Sequence, residues 1–457
     1  VSKFRAGAVL AAISLAVVVP TASAEHGTEP TSANMEHLAN SPQPGPTNSD
    51  IAFWNELAFS GNYGGFRILD IANPNAPKVL ADVKCSGSQS DMGVYGFGRR
   101  LLLFQSVDRR QTSAGCDAAE DPTRTLGWEG IRIFDVSDPR NPVLVRSVAT
   151  DCGSHTHTVV PDLDARNERV FVYVSSYPLQ EHGIHTHDDE NGENTDEAAC
   201  LPLHHKISVI EVPLEHPEQA EVVSQPSVAP ATGCHDIGVF IEIERAAAAC
   251  LTEGQIWDIS DPAHPVIEQH IVNPAINIWH SGGFTWDGEV AIFGDEEGGA
   301  AATHGCGVAP PGAAWFYDPD NAQFPLGFFE QQRAQLPQGD EICTTHNYNA
   351  VPTKAGYFLT SAFYKAGTGI IDFNDVKGRT PSPVPQPVGE EIAYFDPENG
   401  DGRDEGETWS SYWYKGYVYG NDMNRGVDVF RYTGDLIDGD RSLHHLNPQT
   451  QERLLTK

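Results

Sequence analysis

Basic residues are scarce in this 457-residue sequence: 29 Lys and Arg stand against 63 Asp and Glu, a formal charge of −34. A surface so acidic repels phosphate backbones and anionic lipid, which argues against nucleic acid and membrane surfaces as partners. None of the eight cysteines forms a CxxC pair, so a thiolate zinc site is not expected. There is no nucleophile elbow, phosphate loop, dinucleotide fingerprint or HExxH, and the commonest hydrolase, nucleotide-binding and metalloprotease signatures are therefore missing. Several Ser stand beside His, as in Ser154-His155 and His280-Ser281, but adjacency in sequence does not make a triad.

Apolar runs are short as well. The longest, Ala6 to Val19, follows Lys3 and Arg5 and precedes Ala22-Ser23-Ala24. At about 14 residues it falls below the roughly 20 needed to span a bilayer. Charge, length and the small-x-small ending predict a secretory signal over residues 1–24, with a mature start at Glu25. In an exported chain, Cys85, Cys116, Cys152, Cys200, Cys234, Cys250, Cys306 and Cys343 read as disulfides. Sequential pairing and pairing between neighbouring units, such as Cys116 with Cys152, both satisfy the spacing.

What the chain does have is a repeat. EGIRIFDVSDPRNPVLV (Glu129 to Val145) is a strand, a Pro-fixed turn and a second strand. It recurs as GGFRILDIANPNAPKVL from Gly64 and GQIWDISDPAHPVI from Gly254, with weaker copies from Lys206, Ala313, Thr368 and Arg425. Copies spaced by roughly 50 to 70 residues, each preceded by two more strand-like runs, predict an all-β fold. The expected architecture is a single seven-bladed β-propeller of four-stranded blades, with disulfide-stapled loops on one face. It should occupy residues 49–433, between a mobile Ser- and Pro-rich lead-in (25–48) and a polar tail (434–457). The seventh blade lacks an obvious fourth strand, which either the tail or the segment before Ile51 would have to supply.

Aligning the openings of the innermost strands, SDIAF, SDMGV, HTHTVV, CHDIGV, WHSGGF and THNYNA, brings Asp50, Asp91, His157, His235, His280 and His346 to one position. Blade seven offers Thr408 or Ser410 there. Inner strands line the channel, so these side chains should converge on one mouth. The ends of the second strands, carrying Asp108, Glu253, Asp295, Glu296, Glu297 and Asp422, should reach the same face. Imidazoles ringed by carboxylates suit a divalent transition metal, Zn, Cu, Fe or Mn. A structural polar ring or an organic-ligand site are the alternatives. Glu253, Glu296 and Glu297 are the candidate general bases if the site is catalytic, as an oxidase or a hydrolase. A second His- and acid-rich stretch, with His182, His185, His187, Asp188, Asp189, Glu190, His204 and His205, lies in an insertion of blade three and reads foremost as a solvated loop. Of the eight tryptophans, Trp128, Trp279, Trp315, Trp409 and Trp413 read as core or blade-junction packing.

GFRILDIANPNAP, GIRIFDVSDPRNP and GQIWDISDPAHP resemble the LVIVD repeat, and the chain from Asp50 to Tyr432 resembles the secreted LVIVD-repeat β-propellers of bacteria. That resemblance implies the seven-bladed fold and leaves the activity undefined. A remoter one, confined to channel-mouth histidines at His157, His235, His280 and His346, is to selenium-binding-protein-type propellers, some of which are metal-dependent thiol oxidases. The expectation is an exported, monomeric binding module with a His-rich, metal-binding channel mouth and an unidentified extracellular partner. A metalloenzyme at the same site, or a metal-free interaction scaffold, are the competing readings.

Overall fold

The structure is a computed structural model that describes residues 31–119, 127–166, 168–176, 204–297, 312–333, 342–396, 407–438 and 443–452. The expected signal segment, the cleavage site and most of the His-rich insertion fall outside these residues.

Seven four-stranded antiparallel blades form a propeller ring. Each blade runs outward from the channel through strands a, b, c and d. In blade one these are Asn48–Trp54, Leu57–Asn62, Gly65–Asp70 and Lys78–Lys84. The motif of the sequence repeat is the c–d hairpin. Its leading glycine has a physical reason: Gly65 opens strand c of blade one and Gly130 lies near the start of the equivalent strand Trp128–Asp135, at φ 141° and 146°, in the region that favours glycine. A Cβ at either would lie 2.0 or 2.1 Å from the carbonyl oxygen of Val83 or Val148 on strand d. The Asp that ends strand c turns the chain, as when the Asp135 carboxylate accepts the Ser137 N–H at 2.9 Å.

The apolar core lies between blades. Phe240 and Ile256 of blade four pack with Trp279, Phe293 and Trp315 of blade five, all essentially buried. An aromatic buried this fully contributes about 2 to 3 kcal/mol. Trp413 packs against Val351, Phe358 and Ile370 of blade six, whereas Trp409 is buried beside the His346 ring, with centroids 4.8 Å apart. Strand d sees solvent on its outer side, which leaves Val143 and Val266 exposed at matching places in the repeat, each opposite the Asp that ends strand c, with Lys78 at the same place in blade one.

Two expectations about the termini are corrected. The lead-in contains strand Met35–Pro42, which pairs antiparallel with strand c of blade seven, Gly426–Tyr432, from Met35 opposite Tyr432 to Pro42 opposite Gly426. It is the missing outer strand and it closes the ring. A Ser-, Asn- and Pro-containing sequence serves because an outer strand needs backbone pairing more than apolar side chains. Buried Arg67 fastens it, donating to the carbonyls of Ser41 (3.2 Å) and Pro42 (2.9 Å). The C-terminal tail, for its part, adds strands His445–Leu446 and Thr450–Gln451 to the channel-facing edges of blades one and four.

Disulfides Cys85–Cys116 and Cys234–Cys250 form as sequential pairs. Cys152 and Cys343 are also disulfide-bonded, while Cys200 and Cys306 lie outside the described residues. No helix among the described residues is long and apolar enough to cross a membrane.

Candidate metal centre at one channel mouth

The start of each strand a sits at one mouth of the channel. Hydroxyl bonds between neighbouring blades define a common level there. Thr156 donates to the His235 carbonyl (3.0 Å), Ser281 to the His346 carbonyl (3.0 Å) and Ser410 to the Ser49 carbonyl (3.2 Å). Stepping back one residue from each donor places His155, His280 and Trp409 on that level with His235, His346 and Ser49. Four imidazoles of consecutive blades therefore adjoin, with ring centroids 4.9 Å apart for His155 and His235, 3.6 Å for His235 and His280, and 4.4 Å for His280 and His346.

This corrects the aligned register. His235, His280 and His346 stand where expected, but the third blade contributes His155, and His157 lies two residues deeper. Ser49-Asp50 occupies the level of His235-Asp236, so Asp50 is one step below the ring. The recurring dipeptides Ser49-Asp50, Ser90-Asp91 and His235-Asp236 carried this information in the sequence. Below the ring, Asp91 Oδ2 accepts the His157 backbone N–H at 2.8 Å and faces its Nδ1 at 3.2 Å. Burial opposes ionisation of Asp91, yet His157 holds its pKa below the ordinary carboxylate value. Its neighbour Asp50 is pushed well up, first by burial and then by the Asp91 charge, and accepts the Tyr412 hydroxyl at 2.7 Å.

Around the ring, partners fix the imidazoles. Asp108 Oδ2, in strand b of blade two (Arg100–Gln111), accepts the His155 Nδ1–H at 2.6 Å. The Trp409 carbonyl accepts the His346 Nδ1–H, and Asp236 Oδ1 faces His235 Nδ1 at 3.1 Å. A ring with its proton held on Nδ1 presents a lone pair on Nε2, the usual arrangement around a bound metal. Glu296, from the end of strand b in blade five, completes the set. Its two oxygens lie 3.5 Å from His280 Nε2 and 3.6 Å from His346 Nε2, and the Tyr364 hydroxyl donates to Oε1 at 2.5 Å.

Burial favours the neutral form of two rings, His280 and His346, whereas nearby carboxylates favour the charged form of His235. Burial, reinforced by His235, His346 and His155, pushes His280 well below the ordinary imidazole value. Burial likewise brings His346 down to about 3. Burial also opposes a charge on His235, but Asp236, followed by Glu296 and Asp91, outweighs it and raises the pKa. Two overlapping groups, His235–Asp236–His280 and His280–Glu296–His346, place donor atoms within 4.8 Å of one another and could hold a metal ion. His280 Nδ1 is buried with no hydrogen-bond partner.

The other candidates stand elsewhere. Glu253 is buried against its own blade, bonded by Gln255 Nε2 and facing His270 Nδ1, both at 2.6 Å. Asp295 accepts the backbone N–H groups of Asn277, Ile278, Glu297 and Gly312, and so builds the turn that presents Glu296. Glu297, at φ 56°, lies in that turn and belongs to neither donor group. In the His-rich insertion, His204 is buried and contacts Ser176 Oγ at 3.2 Å. The insertion's other candidates, apart from His205, fall outside the described residues. His155 and Asp236 are the participants that the aligned register missed.

Fold and site together define a seven-bladed β-propeller with a His- and carboxylate-lined channel mouth able to hold a metal ion. Residues 126–150 match the family model of the LVIVD repeat. No curated protein matches the chain. Among solved structures, the computationally designed Ika8 protein aligns over 87% of this chain and 99% of its own at 9% identity and a TM-score of 0.44, a likeness too loose to support any argument.

Proposed function

We propose that this protein is an exported β-propeller module that binds one transition-metal ion at the channel mouth, through His235, His280, His346 and Glu296. The observation that carries the reading is the donor set itself. Donor atoms of His280, Glu296 and His346 lie within 4.8 Å of one another, His280 shares a second such group with His235 and Asp236, the His280 and His346 rings are depressed into the neutral form, and the His346 tautomer is fixed by a backbone carbonyl. Neutral nitrogen with one carboxylate suits Zn, Cu, Fe or Mn better than Ca or Mg. Export rests on the signal-like residues 1–24 and the disulfides.

A metal-dependent oxidase or hydrolase is the second reading. Glu296 supports it, because its side chain is 17% exposed while His280 and His346 are 2% and 1% exposed. Solvent therefore meets the donor set on the Glu296 side, where a catalytic metal would keep an open position.

Elemental analysis of protein purified without a His tag tests the proposal. One equivalent of metal is expected in the natural chain and less than a tenth of that in a His280→Ala/His346→Ala variant with the same circular dichroism. A natural chain that retains no stoichiometric Zn, Cu, Fe or Mn after reconstitution with each would overturn it.

A further inference from the structure

The opposite end of the channel is filled by the chain itself. Residues 445–452 cross it and bond to the inner strands of five blades. An inner strand is a sheet edge, and its N–H and C=O groups facing the channel need partners. On blade one, His445 and Leu446 pair with Trp54 and Phe53. On blade two, the Asn447 carboxamide takes both groups of Val94, accepting its N–H at 2.7 Å and donating to its carbonyl at 2.8 Å. Thr450 Oγ1 donates to the Val159 carbonyl at 2.6 Å on blade three, and the Val239 N–H donates to the Gln449 carbonyl at 2.7 Å on blade four. Blade five repeats the Asn447 device, with the Gln451 carboxamide bonded to both the N–H (2.9 Å) and the carbonyl (2.8 Å) of Phe284. The remaining two blades are bridged without the tail, because Asn349 of blade six makes the same two-way bond to Trp413 of blade seven. The segment is fastened at its ends as well. His445 stacks on Trp54 with centroids 4.5 Å apart, and Glu452 is bonded by Arg166 at 2.5 Å and faces His445 at 2.8 Å.

We infer that this end of the channel is a binding site for a short peptide with a tight turn, in which the Thr450 N–H donates to the Asn447 carbonyl at 2.9 Å, and with carboxamide side chains four residues apart, and that residues 445–452 are its ligand, held in cis. The recognition is of backbone edges by Asn447 and Gln451, so a separate peptide of that pattern competes for the same groups. The site is independent of any metal at the His mouth, since the bonded residues Val159, Val239 and Phe284 lie four positions beyond His155, His235 and His280, about 13 Å along each strand.

A chain ending at His444 and an N-acetylated synthetic peptide of residues 445–452 test this. The peptide should bind with one-to-one stoichiometry by calorimetry. Hydrogen exchange at the amides of Val94, Val239 and Phe284 should be at least a hundredfold faster in the shortened chain than in the full one, and return on adding peptide. Peptides carrying Asn447→Ala or Gln451→Ala should each bind at least tenfold more weakly. A folded, shortened chain that binds no peptide, that keeps those amides protected, or that binds the altered peptides equally well would overturn the inference. If the shortened chain does not fold, the full chain carrying N447A and Q451A decides. Exchange at Val94 and Phe284 at least tenfold faster, against unchanged protection of the blade cores, upholds the site, and unchanged exchange at those two amides overturns it.

Discussion

Asp422 ends strand b of blade seven and is 1% exposed. Its Oδ1 accepts the N–H groups of Asn424 and Arg425, both at 2.9 Å, whereas its Oδ2 is buried without a partner. Burial, outweighing those two amides and aided by the Asp428 charge, lifts its pKa from 3.8 to about 7. A carboxyl raised in this way holds a proton in the folded state that the unfolded chain has already released. Its contribution to stability is full below the unfolded value and is lost as pH rises through the folded one. Over the whole titration the loss is on the order of 4 kcal/mol, of which about 2 to 3 falls between pH 5 and pH 8. An Asp422→Asn variant keeps an oxygen for the two amides and never ionises. Its urea unfolding curves, read by tryptophan fluorescence, should therefore show a stability advantage over the natural chain that widens by that amount between pH 5 and pH 8. Comparing the two chains at each pH cancels every other titrating group. An advantage that stays constant across this range would mean that Asp422 is ionised in the folded protein, and the reasoning from its unpartnered oxygen would fail.

Other consequences follow from the packing. Replacing Cys234 and Cys250 by Ser opens a loop with a sequence separation of 16 and should cost about 3 kcal/mol by chemical denaturation; equal stability would show that the loop is already constrained without the bond. Adjacent glycines of one inner strand should behave oppositely, because a Cβ on Gly282 would lie 2.1 Å from the Ala247 carbonyl oxygen, while one on Gly283 meets nothing nearer than 3.8 Å. Gly282→Ala should lose about 3 kcal/mol and Gly283→Ala should change stability by less than about 1 kcal/mol, a contrast that one thermal-unfolding series checks. Arg67→Met should cost about 2 kcal/mol through the two carbonyls of the closing strand. Deleting residues through Pro42 should expose the edge of strand Gly426–Tyr432 and produce oligomers in size-exclusion chromatography; a monomeric deletion product would argue that closure does not depend on this strand.

The blades were legible in the sequence because each is local. Its hairpins are bounded by Asp-Pro and Asn-Pro turns, and its glycine at the start of strand c answers a clash within the same sheet. Relations between blades were harder to read. Side-chain periodicity along a strand is two, so His155 and His157 satisfy the same pattern, and choosing between them needs the cross-blade hydroxyl bonds that only the ring supplies. Asp50 and Asp91 look like ring members when polar residues are aligned one by one, and like His235-Asp236 neighbours when aligned as pairs. The terminal segments left least trace. Met35–Pro42 joins by backbone pairing, and residues 445–452 dock through carboxamides and carbonyls, so neither shows the apolar alternation by which strands are found.

The two ends of the channel meet one requirement in different ways, and the difference keeps most of the imidazole nitrogens clear of the strand edges. Seven inner strands turn their open edges inward, and every buried backbone group there needs a partner. At the tail end, carboxamides span from the segment or from Asn349 to the edges. At the other end the carbonyls of His235, His346 and Ser49 are taken by Thr156, Ser281 and Ser410 of the preceding blade, and the His280 carbonyl by the Asp236 N–H. Most of the backbone at that level is thus satisfied by hydroxyls and an amide, and of the ring histidines His346 serves it, through Nδ1 to the Trp409 carbonyl. Nδ1 is engaged by Asp108 in His155, by Asp236 in His235 and by the Trp409 carbonyl in His346. A ring of histidines serving only as a structural plug would spend its nitrogens on the strand edges. Here the edges take one imidazole nitrogen, His346 Nδ1 at the Trp409 carbonyl, while Nε2 of His280 and His346 face the Glu296 carboxylate at distances longer than a hydrogen bond and short enough to share an ion.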